Sequence, residues 1–372
     1  MLWPFLAVAQ TNPPELLSLI SLRGVAQAEF NHDASRVLTR LRTGEIGLWE
    51  TAAGTAVANE LGAAKAMCCL MSPDRKRVLL GFESNARIFD ATTGSAVSPV
   101  LPIKVDQYQP TPALFSPDGE TLVILREEEA SIWRVGTGEK IKAIPLAAGP
   151  HEEAPPGAFF TATGAHCFIM EPNGTVTRFD TKTWQPVGKV MRHPPTDFSY
   201  EFGFSASTDG KWVATHDGGG EHGHKASLQI WDARTGQPLV GITPGVGYFL
   251  PGRDRIVVSS DRGQGQVREL PSMKLAYRIR GFDDLSGPPV ALSPDGKWIL
   301  SWNSQNALDA INAKTGATVG TASGSGSVSM VSFAPDSSVA YVFRDNPDDS
   351  KEQYSENEIS KVTLPDLQPT GI

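Results

Sequence analysis

The chain has 372 residues, 40% of them hydrophobic, with 36 glycines, 28 prolines and a formal net charge of −8. The acidic balance excludes nonspecific nucleic-acid binding, which needs a basic surface, and three cysteines, two of them adjacent, exclude a disulfide framework or a CxxC metal site. No run is long enough to span a bilayer and no long stretch has helical spacing, so the composition predicts many short strands joined by many turns.

Leu2–Val8 is apolar, and Ala7-Val8-Ala9 before Gln10 has the small-x-small form of a signal-peptidase site. Residues 1–15 are therefore read as an N-terminal tail holding the end of a signal peptide, with translation starting upstream. Export to the periplasm or the exterior is the expectation, and a cytoplasmic protein is the alternative. Residues 16–372 are read as a single domain.

From Phe30 onward the chain repeats a pattern of tight turn, strand, loop, strand and second turn. The units begin at Phe30–Val57, Leu70–Val97, Phe115–Ile141 and Phe160–Val187. The fifth, Ser205–Leu239, is the clearest. Thr208-Asp209-Gly210 makes its first turn, Leu228–Asp232 its third strand, and Gln237–Ile242 its outer strand. A degenerate sixth unit spans Phe249–Ala276, the seventh Leu292–Val319. The eighth opens at Phe333–Phe343 and reaches its third strand near Ile359–Leu364. Each unit has an apolar sheet face it cannot bury alone, so neighbours must stack. The predicted fold is all-β: an eight-bladed propeller of four-stranded antiparallel blades, with seven blades as the alternative count. Leu16–Leu22 matches the outer strands yet precedes the first unit. It is expected to pair into the last blade and close the ring.

Three features carry a resemblance to the WD-repeat β-propeller family in its bacterial form. The turns Ser72-Pro73-Asp74, Ser116-Pro117-Asp118-Gly119 and Ser293-Pro294-Asp295-Gly296 are one. The strand-end pairs Trp231-Asp232, Phe89-Asp90 and Phe179-Asp180 are another, and the third is the repeat length over about 350 residues. The chain departs from that family in lacking the Gly-His dipeptide that usually precedes each repeat. Stability is therefore expected to rest on stacked apolar residues more than on the buried His-Asp-Ser-Trp network that the resemblance implies.

In an antiparallel blade, the first and third turns share one end of the ring. Here they are short and uniform. The second-to-third loops and the connections between blades share the other end, and these vary widely. Binding usually resides in loops on a rigid scaffold. The candidate contacts on that face are Tyr108, Phe198, Tyr200 and Phe202, with the acidic run Glu127, Glu128 and Glu129; aromatic side chains are favoured anchors. The connection from Arg192 to Phe202 also carries His193. His216, His222 and His224 are weak candidates for a zinc or nickel site in a glycine-rich loop; no metal or other cofactor is expected. The same loop contains GxGxxG, but no helix follows it, so a dinucleotide site is excluded. Asn173-Gly174-Thr175 suits a hairpin turn. No catalytic motif is present, and the reading leans away from an enzyme. The functional expectation is a monomeric, non-catalytic scaffold for a protein or peptide, with a basic partner surface favoured. The alternative is an exported enzyme or carbohydrate-binding protein with its ligand in the central channel.

Overall fold

The computed structural model describes residues 25–31, 35–41, 43–50, 55–57, 61, 65–103, 113–149, 156–194, 202–217, 226–239, 243–250, 254–260, 264–280, 290–293, 295–302, 307–323, 327–333, 337–345 and 358–367. Among them there is no α-helix, and the strands form eight antiparallel sheets in chain order. Each sheet is a meander, as short strands joined by tight turns dictate. The third sheet shows the plan: Ala113–Phe115, Thr121–Leu125, Glu129–Arg134 and Glu139–Pro145 pair in sequence order. The degenerate sixth unit follows it, with Gly247–Phe249, Arg255–Ser260, Gln264–Glu269 and Lys274–Arg280. The eighth has three described strands, the third being Glu358–Thr363, where the sequence placed it.

In the second, third, fifth and seventh sheets the first turn is built by a serine and an aspartate. Ser116 Oγ accepts the Thr121 amide at 2.9 Å and donates to Asp118, which accepts the Glu120 amide at 3.0 Å. Ser72 with Asp74, Ser207 with Asp209, and Ser293 with Asp295 repeat these bonds. Burial pushes the Asp295 carboxyl up, but hydrogen bonds from Ser293 and Lys297 outweigh it and hold the group at about 2. The next residue must be left-handed. Glycine supplies this at Gly119, Gly210 and Gly296, with φ of 70°, 72° and 66°, whereas the second sheet puts Arg75 there at 56°. In the third turn of the second, fourth, fifth and seventh sheets a strand-end aspartate or asparagine does the capping. Asp232 Oδ1 accepts the Arg234 and Thr235 amides at 2.9 and 2.8 Å, and Asp90, Asp180 and Asn312 act alike.

Apolar clusters join each sheet to the next. Leu38, Ile46 and Leu48 of the first sheet pack on Val78, Leu80 and Phe89 of the second. Leu79 and Ile88, on the opposite face of that second sheet, pack on Phe115, Leu122 and Ile124 of the third. The same sandwiching continues through to the eighth sheet, where Leu300 and Leu308 meet Ala340 and Val342. Second strands are thus buried on both faces. That is why Leu122–Leu125 and Cys167–Met170 read as unbroken apolar runs rather than alternating ones. Burial raises the thiols of Cys68, Cys69 and Cys167 above their ordinary value. Cys167 is fully buried, while Cys68 and Cys69 are half-buried on a first strand.

Polar contacts at the short-turn end reinforce the stack. Arg77 meets Glu120 at 2.6 Å between sheets two and three. Trp212 Nε1 donates to Asp254 between five and six, and Arg255 donates to the Ala313 and Lys314 carbonyls between six and seven. Exposed ion pairs of this kind contribute at most about 1 kcal/mol. The outer strand read at Gln237–Ile242 is split into Gln237–Pro238 and Thr243–Pro244. Pro238 has no amide to donate, and residues 240–242 lie outside the described set. Sheet four is split likewise, into Gln185–Pro186 and Met191–Arg192. Leu16–Leu22 lies outside the described residues.

Candidate functional site

The split outer strands lead to the end carrying the long connections. Met191–Arg192 pairs with the start of the third strand, Thr175–Val176, and delivers the chain to His193. The His193 amide donates to the Gly174 carbonyl at 3.2 Å, which ties the residue to the fourth sheet. Its side chain crosses to the fifth. Nδ1 lies 2.8 Å from Thr215 Oγ1, and Nε2 lies 3.0 Å from Ser227 Oγ. Thr215 also accepts the indole N–H of Trp231 at 2.9 Å. Asp217 Oδ1 accepts the Ser227 amide, and Asp217 is 3% exposed. His193 itself is 1% exposed, with Phe202 edge-on at 5.8 Å. Desolvation lowers the pKa of this imidazole, with the Asp217 charge opposing.

A buried polar network therefore stands beside the apolar clusters at this junction. A histidine, a carboxylate, two hydroxyls and an indole are joined in the fifth sheet with no Gly-His dipeptide, because Arg192-His193 reaches the same place from the outer strand. The first sheet holds a simpler version: Trp49 Nε1 donates to Thr39 Oγ1 at 2.8 Å. The legible signal was Thr215, Ser227 and Trp231 at matching positions within one unit. The missing part was His193, which sits in the preceding unit's connection.

His216, the residue after Thr215, faces the other way, toward the sixth sheet. A Cβ on its cross-strand partner Gly203 would strike the imidazole, so glycine makes room for the ring. The Tyr248 ring lies 6.2 Å off. His216 Nδ1 is buried without a partner among the described groups. Desolvation, with the neighbouring His193, lowers the imidazole to about 4 against the pull of Asp217.

A serine hydroxyl 3.0 Å from an imidazole has the spacing of a nucleophile and its base. The surroundings give it a structural task instead. Ser227 is 9% exposed, and the far imidazole nitrogen meets a threonine hydroxyl rather than a carboxylate that would steady an imidazolium.

Of the contacts read on the loop face, Phe202 and His193 lie in the interior. Phe202 packs with Met170, Met191 and Trp231, because both ends of its connection dock on neighbouring sheets. Glu127 and Glu128 are exposed at a hairpin tip, where the Arg126 amide meets the Glu129 carbonyl at 2.9 Å. Glu129 is paired with Lys140 at 2.5 Å. Tyr108, Phe198, Tyr200, His222 and His224 lie outside the described residues. Among the described residues no three His, Cys, Asp or Glu side chains gather as metal ligands, and no helix is long and apolar enough to cross a membrane. The half-buried side chains on first strands include the apolar Leu70, Leu114, Phe159, Phe204 and Leu292 together with the polar Glu29, Ser205 and Tyr248.

Stacked four-stranded meanders of this kind define a β-propeller, and solved structures agree. The chain resembles the C-terminal WD40 domain of Sif2 with a TM-score of 0.65 and 15% identity, covering 93% of this chain and 97% of that one. BamB from Moraxella catarrhalis aligns with a TM-score of 0.58 and 14% identity, over 85% and 92% of the two chains. A eukaryotic initiation factor aligns with a TM-score of 0.55 and 15% identity, over 91% and 95%. No protein-family model matches the chain, and no curated protein matches it in sequence. The fold is that of a WD40-like β-propeller.

Proposed function

We propose that the eight sheets are the blades of a closed ring, sealed by Leu16–Leu22 pairing with the third strand of the eighth sheet. The protein is then a non-catalytic scaffold of the bacterial SPDG-turn type. It is exported, monomeric, and takes a protein or extended peptide on the end that carries the long connections.

The observation that supports this reading best is the inequality of the two ends. At one, Ser-Asp and Asp-capped turns recur with nearly fixed hydrogen bonds, and polar contacts link neighbouring sheets. At the other, chain length and composition vary from blade to blade, as in loops freed for recognition. The exposed pair Glu127 and Glu128 favours a basic partner.

A displayed peptide library selected on the full chain tests the reading. Enriched sequences are expected to be rich in Lys and Arg, and to lose binding when Glu127 and Glu128 are changed to Lys or when Tyr108, Phe198 and Tyr200 are changed to Ala. Binding that survives both sets, or that is lost only on changing the short-turn end, overturns it.

A further inference from the structure

We propose that His193 is an acid-released clasp between the fourth and fifth sheets. This goes beyond the binding role above and does not depend on it. The residue belongs to one sheet through its backbone and to the next through its ring. A neutral imidazole has one donor and one acceptor. The tautomer with its proton on Nε2 satisfies the relay: Trp231 donates to Thr215, Thr215 then donates to Nδ1, and Nε2 donates to Ser227. Adding a proton at Nδ1 turns that acceptor into a donor. The Thr215 hydroxyl must then accept from both Trp231 and His193, and its own hydrogen loses its place.

The surroundings disfavour the charge on balance, because burial outweighs what attracts it. From the fifth sheet, Asp217 and a hydrogen bond to the Thr215 backbone attract it, but that carboxylate already accepts the Ser227 amide, and His216 stands beside it. From the fourth sheet, Arg192 adjoins the clasp in sequence and is exposed, while Arg178 and Asp180 lie toward the opposite end of the third strand. Tyr248 of the sixth sheet faces His216 across the other side. The fold therefore resists the proton, and the unfolded or opened junction accepts it more readily. Since the imidazole is lowered from 6.5, the clasp holds above that pH and weakens as the pH falls through the lowered value.

Nuclear magnetic resonance of the full chain tests this. The readouts are the His193 ring titration, and the exchange protection of the Trp231 indole N–H and the His193 amide. The wild type is expected to lose at least tenfold protection at both protons between pH 7 and pH 5, after correction for intrinsic exchange. The loss should coincide with the ring titration, while the amide of Leu300 in the seventh sheet stays unchanged. His193→Gln keeps a neutral donor and acceptor and should abolish the step. The proposal is overturned if the ring titrates with no change at Trp231. It is overturned equally if protection is constant to pH 4.5, or if the step persists in His193→Gln. Should that variant fail to fold, the wild-type titration alone decides.

Discussion

Replacing Thr215 by valine keeps the side-chain shape and removes one hydroxyl. In the fifth sheet that hydroxyl serves two buried groups, the Trp231 indole at 2.9 Å and the His193 imidazole at 2.8 Å. Both lie in an interior where Trp231 is 7% and His193 1% exposed, so water cannot replace the lost partner. Each buried polar group left alone costs about 1–3 kcal/mol, giving about 2–6 kcal/mol for the pair. Thr39→Val is the internal control. There the hydroxyl serves Trp49, whose half-buried indole can turn to solvent, and the expected cost is about 1 kcal/mol. Urea unfolding of wild type and both variants reads the difference as a shift in midpoint at constant slope. Thr215→Val should lose at least about 1 kcal/mol more than Thr39→Val. Equal losses would refute the claim that two partners depend on one oxygen.

Three further outcomes follow from the same structure. His216 has a folded pKa of about 4 against 6.5 unfolded, so the unfolded state binds more protons and stability present above pH 6.5 drains away down to about pH 4. The gap corresponds to about 3 kcal/mol at most, and thermal melts of His216→Phe should show a flatter pH dependence than wild type over that window. Gly210→Ala forces a side chain into a left-handed turn, with its Cβ 2.5 Å from Thr161 Cγ2, and should cost about 2 kcal/mol or more; Arg75→Gly relieves the equivalent turn and should raise the unfolding midpoint slightly. Deleting Leu16–Leu22 should lower the melting temperature by many degrees, and an unchanged melt would reject the proposed ring closure.

Much of the architecture was legible because its signals are local. A serine and an aspartate two residues apart, then glycine, specify a turn whatever lies around it, and a strand-end aspartate caps the next turn through its own neighbours. Repetition of those signals marked successive sheets along the chain, and the third strand of the last described sheet lies where the sequence put it. Glu127 and Glu128 were legible at their hairpin tip for the same reason. Phe202 and His193 were not. Nothing near them in sequence says that the connection they belong to begins and ends against neighbouring sheets.

The residues alone determined that this chain folds into many small antiparallel sheets with one uniform end and one varied end, since turn chemistry and apolar strands act over a few residues. Only the tertiary structure decided that His193 reaches 22 residues ahead to Thr215 and 34 to Ser227, and that His216 lies over Gly203 beside Tyr248. The physical reason is that these contacts form between sheets. Their partners are chosen by how one sheet stacks on the next, and no short stretch of sequence carries that information.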